Sequence, residues 1–474
     1  MGVFAETHEI PVWKLIKLWI AEGFVKKVYH KNLEDVAEEN LRELVDRSLV
    51  LVGKHSSLGF IKTCKMHDLV RDMCLREAQY ENFIHFKTRY DNDDLLENFN
   101  CLRRVVDFNK YGYSEIPKLM PLTRSVFFKY PHFFCFLSQS SFRLLRILDV
   151  CFTSFLYCSQ SISELVHLKY LACPSFDGLV QSVCKLRNIQ NLVIHDLNLS
   201  GLHMRTQSLP WEVVNMPQLR HIHTKKFSLF IPPPTSLIAE RENHLQTLTG
   251  LEPSSCNDEV FLRIPNLKKL GILIVDSDTI RKCYCLDNLV HLTQLEKLKV
   301  EFSESYLLIF RRISEGWVDL SWLHIPHCDN FPPNLKKLTL CGTYLQWEDM
   351  NILKKLPNLE VLKLKHHAFH GLIWKLSDED EDGFFQLKFL LLESLHLKQW
   401  EATSYHFPSL EHLVLTDCYS LEQIPFDFAE IQTLQLIELH KCMLSVLDLA
   451  EQIQEEQQSL GNDDLVIRVN YIRE

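Results

Sequence analysis

The 474-residue sequence lacks a long hydrophobic run, and no stretch approaches the roughly 18 unbroken apolar residues of a membrane-spanning helix. Its first residues also lack a basic segment followed by an apolar core, so we expect no secretory signal. The composition, with 46% hydrophobic and 24% charged residues, excludes a mostly disordered chain, a collagen-like chain and a long coiled coil.

Cysteine pairs with the spacing of zinc motifs are also missing. The 15 cysteines are an odd number, and no CxxC pair occurs among them. The nearest approach, Cys283-Tyr284-Cys285, is too tight for the usual zinc chelation. The sequence therefore predicts no metal site, and it favours reduced thiols in the cytoplasm over a disulfide framework.

An excess of basic residues is absent as well. Lysine and arginine number 51 against 61 acidic residues, which gives a net charge of −10. Residues 375–474 carry 20 acidic and 6 basic side chains, so the end of the chain is strongly acidic. This balance argues against a direct nucleic-acid partner, because such proteins need a basic surface.

From about residue 140 the pattern L-x-x-L-x-L recurs, mostly at intervals of 21 to 28 residues. Alternating leucines make a short strand with one buried face, and stacked units share one continuous core. The pattern predicts an α/β leucine-rich-repeat solenoid, a horseshoe with a curved parallel sheet. Clear copies include Leu145-Leu148-Val150, Leu267-Leu270-Ile272, Leu295-Leu298-Val300, Leu335-Leu338-Leu340, Leu359-Leu362-Leu364 and Leu410-Leu413-Leu415.

Cysteine stands three residues after the last apolar position of several copies. The examples are Cys328 after Ile325 and Cys418 after Leu415, and Cys442 follows Leu439 in the same way. A small residue at this place lets the chain turn within the repeat, so we interpret these cysteines as structural rather than redox-active.

Lysine often fills the x positions of the central repeats. Adjacent parallel strands lie roughly 4.8 Å apart, so these side chains would form one basic stripe on the concave face. The stripe either solvates an exposed strand surface or contacts an acidic partner or an acidic part of the same protein. The lysines concerned are Lys268, Lys269, Lys297, Lys299, Lys336, Lys337, Lys363 and Lys365.

The first 86 residues follow a different pattern. An amphipathic helix is predicted from Pro11 to its stop at Gly23, and a second helix from about Leu33 to Arg47, with Asn32 in position to cap it. Two short apolar runs, beginning at Leu49 and at Phe60, then indicate a β-hairpin, and a third helix begins at Leu69. Helices followed by a two-stranded wing and another helix are typical of a small α+β winged-helix domain.

The segments KLIKLWIAEGFV, LEDVAEENLRELVDRSLV and KMHDLVRDMCLREA resemble the winged-helix part of plant intracellular immune receptors, the nucleotide-binding leucine-rich-repeat disease resistance proteins. Two further segments, Asn330 to Leu364 and Ile453 to Val469, resemble the coiled-coil class, specifically late blight resistance proteins of nightshade-type plants. Met66, His67 and Asp68 match the family's MHD motif. The resemblance implies that His67 contacts the phosphates of bound ADP, that Met66 packs and that Asp68 fixes the turn.

The family's phosphate-binding loop, G-x-x-x-x-G-K-[ST], does not occur in the sequence. Gly53-Lys54 is followed by His55, and Ser48 stands where the first glycine of the loop would be. We therefore expect no cofactor in this chain, although ADP or ATP belongs to the full-length family. The chain is expected to be either a fragment of a receptor or a truncated receptor that no longer switches by itself.

Together these features predict four parts: a winged-helix domain, 1–86, as the C-terminal part of an NB-ARC module; a linker and N-terminal cap, 87–140; leucine-rich repeats, 141–442; and a C-terminal cap, 443–474. The resemblance implies a non-enzymatic receptor fragment in plant defence and the hypersensitive response. Its repeats would recognise a pathogen effector or a guarded host protein, or restrain the NB-ARC domain of a related receptor. A cytoplasmic location, with at most peripheral membrane contact, is expected. The alternatives are a repeat adaptor, such as a ubiquitin-ligase substrate receptor, and a full ADP/ATP switch in a longer gene product.

Overall fold

The structure is a computed structural model of the 474-residue chain. It describes residues 1–2, 4, 8–57, 59–81, 83–87, 104–108, 122–128, 142–151, 162–174, 179–195, 206–225, 228–232, 243–275, 284–303, 323–376 and 382–473. The chain divides into two compact units. The first comprises residues 1–199, 209–225 and 241–245, and the second comprises residues 200–208, 226–240 and 246–474.

The first unit begins with the winged-helix domain, whose elements follow the sequence prediction closely. They are β1 (Ile10–Pro11), α1 (Val12–Glu22), α2 (Leu33–Asp46), β2 (Val50–His55), β3 (Ile61–Met66) and α3 (Asp68–Tyr80). Helix α1 ends at Gly23, whose φ of 85° lies in the left-handed region that glycine adopts without strain. Asn32 occupies the N-cap position of α2, but its side chain makes no capping hydrogen bond.

Strands β1, β3 and β2 form an antiparallel sheet in that order, which is the predicted wing with one short strand added. Its small core buries Ile10, Leu15 and Ile16 together with Val36 and Leu41 of the second helix. Apart from Ile10 of β1, these are apolar positions of the two helices, so the helical periodicity in the sequence is realised as packing.

The first repeats complete this unit as a set of parallel strands. They are β4 (Ile84–Lys87), β5 (Arg104–Phe108), β6 (Thr123–Phe128), β7 (Ile147–Asp149), β8 (Tyr170–Pro174), β9 (Asn191–His195) and β11 (His221–Lys225), with short helices α4 (Leu179–Val183) and α5 (Trp211–Val214). Parallel pairing thus starts at β4, before residue 141. Most of the expected linker and N-terminal cap, 87–140, lies outside the described residues, and the four domain boundaries remain predictions.

The second unit holds the remaining strands. They are β10 (Thr206–Ser208), β12 (Ser228–Phe230), β13 (Thr247–Leu251), β14 (Lys269–Ile274), β15 (Tyr284–Cys285), β16 (Lys297–Phe302), β17 (Leu323–His324), β18 (Lys337–Cys341), β19 (Leu345–Gln346), β20 (Val361–Lys365), β21 (Phe369–His370), β22 (Ile373–Lys375), β23 (Phe389–Glu393), β24 (Gln399–Glu401), β25 (His412–Thr416), β26 (Leu436–Met443) and β27 (Val466–Arg473). Its α-helices are α6 (Asp258–Phe261), α7 (Met350–Leu353) and α8 (Leu444–Ser459). Single 3₁₀ turns connect strands at Pro253–Ser255, Asp287–His291, Cys328–Asn330, Trp347–Asp349, Ser404–His406 and Phe426–Glu430.

The repeated leucines align across the strands of the second unit. In the register of the parallel pairs, Leu270 lies beside Leu298, Leu338, Leu362, Leu390 and Leu413 in turn. All of these side chains are buried. Each fully buried leucine contributes about 1.5–3 kcal/mol relative to an exposed one, so the row forms a continuous core that no single repeat could build.

Two other ladders reinforce this core. The indole rings of Trp347, Trp374 and Trp400 stack with centroid separations of 4.9 and 4.8 Å. The buried thiols of Cys418 and Cys442 donate to the carbonyl oxygens of Leu392 and Leu415, at 3.5 and 3.6 Å. These two cysteines therefore have the structural role that their spacing predicts.

The segment expected to cap the C-terminus, 443–474, contains helix α8 and strand β27. Helix α8 buries Val446, Ala450 and Ile453 on one face and presents glutamate and glutamine on the other, while β27 pairs in parallel with β26. A polar helix over the last repeat is the type of cap that a solenoid needs. Among the described helices, none is long and apolar enough to traverse a membrane.

Candidate functional site

The MHD residues lie where the wing joins the third helix. Met66 is the last residue of β3, His67 is the N-cap residue of α3, and Asp68 is the first residue of that helix. Because α3 is 13 residues long, its first backbone N–H groups form a positive helix end directly beyond the imidazole. The backbone changes direction at this point because the extended strand β3 ends and helix α3 begins.

The most specific structural feature of the motif is the hydrogen bonding of the His67 ring. Its Nδ1 atom is buried and has no hydrogen-bond partner among the residues that the structure describes. Buried polar atoms usually have a partner, so an unsatisfied imidazole nitrogen beside a helix N-terminus fits one contact to a phosphate oxygen. The sequence, however, contains no phosphate-binding loop, and a nucleotide contact by Met66, His67 and Asp68 stays a prediction.

Helix α1 is buried on two sides. One side packs into the winged-helix core, and the other side, with Leu18 and Ala21, packs against the first repeats. The strand residues that alternate with the buried leucines form one surface of the sheet. We call this surface the x face. The residues of the x face that meet α1 are largely apolar: Phe127, Ile147, Tyr170, Ala172 and Val193.

Polar contacts surround this apolar contact. The ammonium group of Lys14 lies 2.7 Å from a carboxylate oxygen of Asp149, whose side chain is 8% exposed. Arg146 donates to the backbone oxygen of Glu22 at 2.7 Å, and the Glu22 carboxylate accepts from the hydroxyl of Ser125. A buried ion pair of this kind fixes the register of two surfaces, because either charge left alone there would be costly.

Helix α2 reaches strand β11 through Glu34. Its carboxylate contacts Arg220 at 3.0 Å and the imidazole of His221 at 3.3 Å. Burial opposes ionisation of Glu34, but the hydrogen bond from His221 and the charge of Arg220 outweigh it and lower the pKa of Glu34 to about 2. Burial lowers the pKa of His221 to about 4, although its hydrogen bond with Glu34 acts in the opposite direction.

A second histidine of β11 meets the first helix. The Nζ atom of Lys17 lies 2.5 Å from Nε2 of His223, and the ring of Trp13 packs on the same imidazole with centroids 4.8 Å apart. Since a lysine ammonium only donates hydrogen bonds, Nε2 of His223 is the acceptor in this contact. Helices α1 and α2 thus both contact β11.

The predicted lysine stripe separates into rows in the second unit. Lys269, Lys297 and Lys337 stand directly beside one another on three neighbouring strands. We call these three residues the lysine row. Burial, followed by the like charges of Lys297 and Lys299, lowers the pKa of Lys269. The row is therefore a place where an anionic group would relieve repulsion.

The other lysines of the stripe differ in their surroundings. Lys299 contacts Glu301, Lys336 lies 3.7 Å from Glu360, and Lys365 contacts Glu393. Lys363 lies over the ring of Phe389, 4.6 Å from its centroid. Lys268 precedes β14 and is exposed. Lys299, Lys336 and Lys365 are thus engaged by acidic side chains of the same chain.

The contact between the winged helix and the first repeats was not predicted from the sequence. A signal for it exists, because x positions in the first repeats hold Ile147, Tyr170 and Val193, where the central repeats hold lysine. The helix likewise carries Leu18 and Ala21 outside its predicted apolar stripe. Large apolar residues on both surfaces indicate burial, but they do not say which surfaces meet.

Two protein-family models match the chain. Residues 3–74 match the disease resistance protein winged-helix domain, and residues 123–462 match a leucine-rich repeat region. The chain therefore belongs to the leucine-rich-repeat disease resistance proteins of plants. The fold and the family predicted from the sequence are confirmed.

Individual relatives agree with this assignment. A late blight resistance protein of Solanum demissum is 31% identical over 96% of this chain and 35% of its own length. Two late blight resistance protein homologues of the same species are each 32% identical over 96% of the chain, which covers 34% and 58% of their lengths. The chain thus spans about a third of the length of the first of these relatives.

Solved structures give a more distant likeness. A plant peptide hormone receptor in complex with its hormone aligns with 74% of this chain and 57% of its own, at 12% identity and a TM-score of 0.37. A likeness of this degree carries no argument about ligands.

Proposed function

We propose that this chain is the recognition and restraint part of a plant immune receptor. Its first repeats hold the winged-helix domain, and its central repeats contact a pathogen effector or a guarded host protein. The observation that carries this proposal is the division of the x face: apolar in the first repeats, where α1 and α2 bury it, and lysine-rich in the central repeats. The two surfaces are suited to different partners, one internal and one external.

The internal contact has features of a contact that can open. Alongside the apolar packing and the buried Lys14–Asp149 pair, it buries the Tyr170 hydroxyl and Oε2 of Glu34, which have no hydrogen-bond partner among the described residues. Each unsatisfied buried group costs about 1–3 kcal/mol. These costs lower the net stability of docking, so a ligand with a moderate preference for the undocked form could shift the equilibrium.

The MHD residues Met66, His67 and Asp68 belong to the same proposal. In a longer receptor they would give the restrained winged helix one contact to ADP, supported here by the unsatisfied Nδ1 atom of His67. A non-catalytic role is proposed for this chain, because its sequence has no phosphate-binding loop. We further propose a cytoplasmic location, which is supported by ten cysteines in the described part of the chain that are free thiols.

Recognition by the central repeats is proposed to depend on acidic groups of the partner. The lysine row presents three like charges in register, and an incoming carboxylate would relieve their mutual repulsion. The full set proposed as the contact surface is Lys268, Lys269, Lys297, Lys299, Lys336, Lys337, Lys363 and Lys365. Within it, the lysine row is expected to contribute most, because its three side chains stand in register on neighbouring strands.

The test uses a fluorescently labelled peptide of alternating glutamate and glycine as a probe of the purified full chain. Replacing the row with Lys269→Glu, Lys297→Glu and Lys337→Glu should weaken binding at least about tenfold, because attraction becomes repulsion. Added salt should weaken the binding of the unaltered chain, since these side chains are solvent-accessible. Fluorescence anisotropy measures both effects.

The matched control changes the net charge by the same amount elsewhere. Lys26→Glu, Lys27→Glu and Lys62→Glu alter exposed lysines of the winged-helix domain. Peptide binding should change less than threefold in this variant. Equal losses in the two triple variants would show that only net charge matters, and the lysine row would then have no specific contact role.

A further inference from the structure

Three side chains of different metal-ligand types lie together in the turn after β17. His327, Cys328 and Asp329 offer an imidazole nitrogen, a thiol and a carboxylate whose donor atoms all lie within 4.8 Å of one another. In the part of the chain that the structure describes, this is the group of three such residues close enough to hold one ion. The spacing of Cys328 in the sequence indicated only a structural turn residue.

The donor atoms already lie near one another, although the two separations to Asp329 involve different oxygens of its carboxylate. The Sγ atom of Cys328 lies 3.6 Å from Nδ1 of His327 and 3.8 Å from a carboxylate oxygen of Asp329, and Nδ1 lies 3.2 Å from the other oxygen. Zinc bonds of about 2.3 Å to sulfur and about 2.0–2.1 Å to nitrogen and oxygen place tetrahedral ligand atoms roughly 3.3–3.6 Å apart. The separation of the sulfur and nitrogen atoms has such a value, and rotation of the Asp329 carboxylate is needed to bring one oxygen to this distance from both.

The backbone of the turn is fixed by hydrogen bonds. The residues Cys328–Asn330 form a 3₁₀ turn in which the amide of Asn330 donates to the His327 carbonyl at 2.9 Å. The side-chain amide of Asn330 also donates to Asp287 of an earlier 3₁₀ turn, at 3.0 Å. Only side-chain rotations are then needed to close the ligands around an ion, so little conformational entropy is lost on binding.

The side chains themselves can reorient. His327 and Asp329 are 70% and 85% exposed, and the two ring nitrogens of His327 lie at similar distances from the sulfur atom, 3.6 and 3.9 Å. A modest rotation of the ring would therefore aim the Nδ1 lone pair at a shared ion. Exposure also leaves a fourth tetrahedral position open to water, as in zinc sites with three protein ligands.

We propose that His327, Cys328 and Asp329 bind a zinc ion through Nδ1, Sγ and one carboxylate oxygen, with water as the fourth ligand. Thiolate and imidazole ligands favour zinc over magnesium or calcium, which take oxygen ligands. Binding requires the thiol of Cys328 to lose its proton to the solvent, so one sulfur–zinc bond forms for each proton released. The site lies on the surface and can be reached without unfolding.

Cobalt(II) serves as the spectroscopic probe, because tetrahedral cobalt with a thiolate ligand absorbs in the visible and near-ultraviolet regions. The full chain, kept reduced with a phosphine, is titrated with cobalt and then with zinc, which should displace it. Cys328→Ser should abolish the sulfur-to-cobalt band. His327→Gln and Asp329→Asn should each lower the apparent affinity at least about tenfold, since even groups that only orient a ligand affect affinity by that much.

Cys184→Ser is the matched control, because Cys184 is a half-buried cysteine in a different repeat. This variant should retain the sulfur-to-cobalt band and the zinc affinity of the unaltered chain. If Cys328→Ser kept the band, the thiol ligand would lie elsewhere and the proposal would be overturned. Loss of the band in Cys328→Ser with no effect of His327→Gln or Asp329→Asn would also overturn it, because the ion would then bind one thiol alone.

Discussion

The imidazole of His221 is buried where it meets Glu34 of helix α2. Burial favours the uncharged form of this ring at neutral pH. The groups that face it are Glu34, Lys17 and Arg220, and its ring lies 6.4 Å from that of His223. Burial and the two nearby cations favour the neutral form, whereas Glu34 favours the charged form. Because the neutral form prevails, the docked arrangement binds a proton at His221 less readily than the unfolded chain does.

The stability of the first unit should therefore fall in mild acid. The pKa of His221 is about 4 in the structure and 6.5 without perturbation, so its contribution is fully present above pH 6.5 and is lost as the pH falls toward 4. Between pH 7 and pH 5 this loss amounts to about 2 kcal/mol. Urea unfolding at the two pH values should show it, and His221→Gln should reduce the pH dependence by that amount.

His291 provides the control for this comparison. It is a partly exposed histidine of the second unit, 3.2 Å from Asp258, and His291→Gln should keep the pH dependence of the unaltered chain. An unchanged pH dependence in His221→Gln would contradict the assignment of a buried neutral imidazole at this position.

Individual residues were predicted with uneven success. The sequence motif places His67 at the start of α3, as the structure shows, because a short motif and the next helix specify local geometry. His221 and Glu34 carry no comparable motif, and they are 187 residues apart in the chain. Their pairing depends on how two separate elements dock, so it could not be derived from local sequence.

At the scale of secondary-structure elements, helix α1 connects the two parts of the first unit, because it packs against both the winged-helix core and the first repeats. Its periodicity predicts the helix and the side that enters the winged-helix core. The same 11 residues also bury Leu18, 5% exposed, against the first repeats. A helix that is buried on two sides must satisfy two cores, so substitutions on one side should affect one contact selectively.

Leu18→Glu should release the winged helix from the first repeats. A carboxylate at this position would face the apolar x face at a cost of several kcal/mol if it stayed docked. Cys151, a buried residue in the same contact, serves as the reporter, because burial raises the pKa of its thiol and makes it unreactive. Thiol labelling with detection by mass spectrometry should be at least tenfold faster at Cys151 in the variant.

Two controls separate release from unfolding. Cys64, buried in the winged-helix core, should remain protected in Leu18→Glu, and Val28→Glu, at an exposed loop position, should leave Cys151 protected. Protection of Cys151 in a folded Leu18→Glu variant would mean that α1 stays docked without this side chain, and the proposed restraint would lose its support.

The whole molecule combines a net charge of −10 with a row of aligned lysines on the strands of its central repeats. This distribution favours acidic partners at one surface without general attraction to nucleic acids. The sequence also concerns nucleotide binding. Its residues that match the family's motif are not accompanied by a glycine-rich loop and the lysine of that loop. A single imidazole and a helix end give a weak site for a diphosphate.

We expect the purified full chain to bind ADP weakly. Titration calorimetry with micromolar protein should detect no saturable heat, and His67→Ala should behave as the unaltered chain does, because one phosphate contact contributes only about 1.5–3 kcal/mol. His55→Ala serves as a control for nonspecific attraction at an exposed histidine. Tight ADP binding that is lost in His67→Ala would contradict this expectation and would indicate a pocket built from other residues of this chain.

The sequence by itself determined the repeat architecture, the winged helix and the rows of buried leucines. These features follow from periodicity, because a residue such as Leu298 is buried for the same local reason as each of its neighbours in the ladder. Only the tertiary structure shows that α1 and α2 cover the first repeats and that Lys299, Lys336 and Lys365 contact acidic side chains. Periodicity specifies which face of an element avoids water, whereas shape and charge complementarity decide which surfaces and side chains then meet.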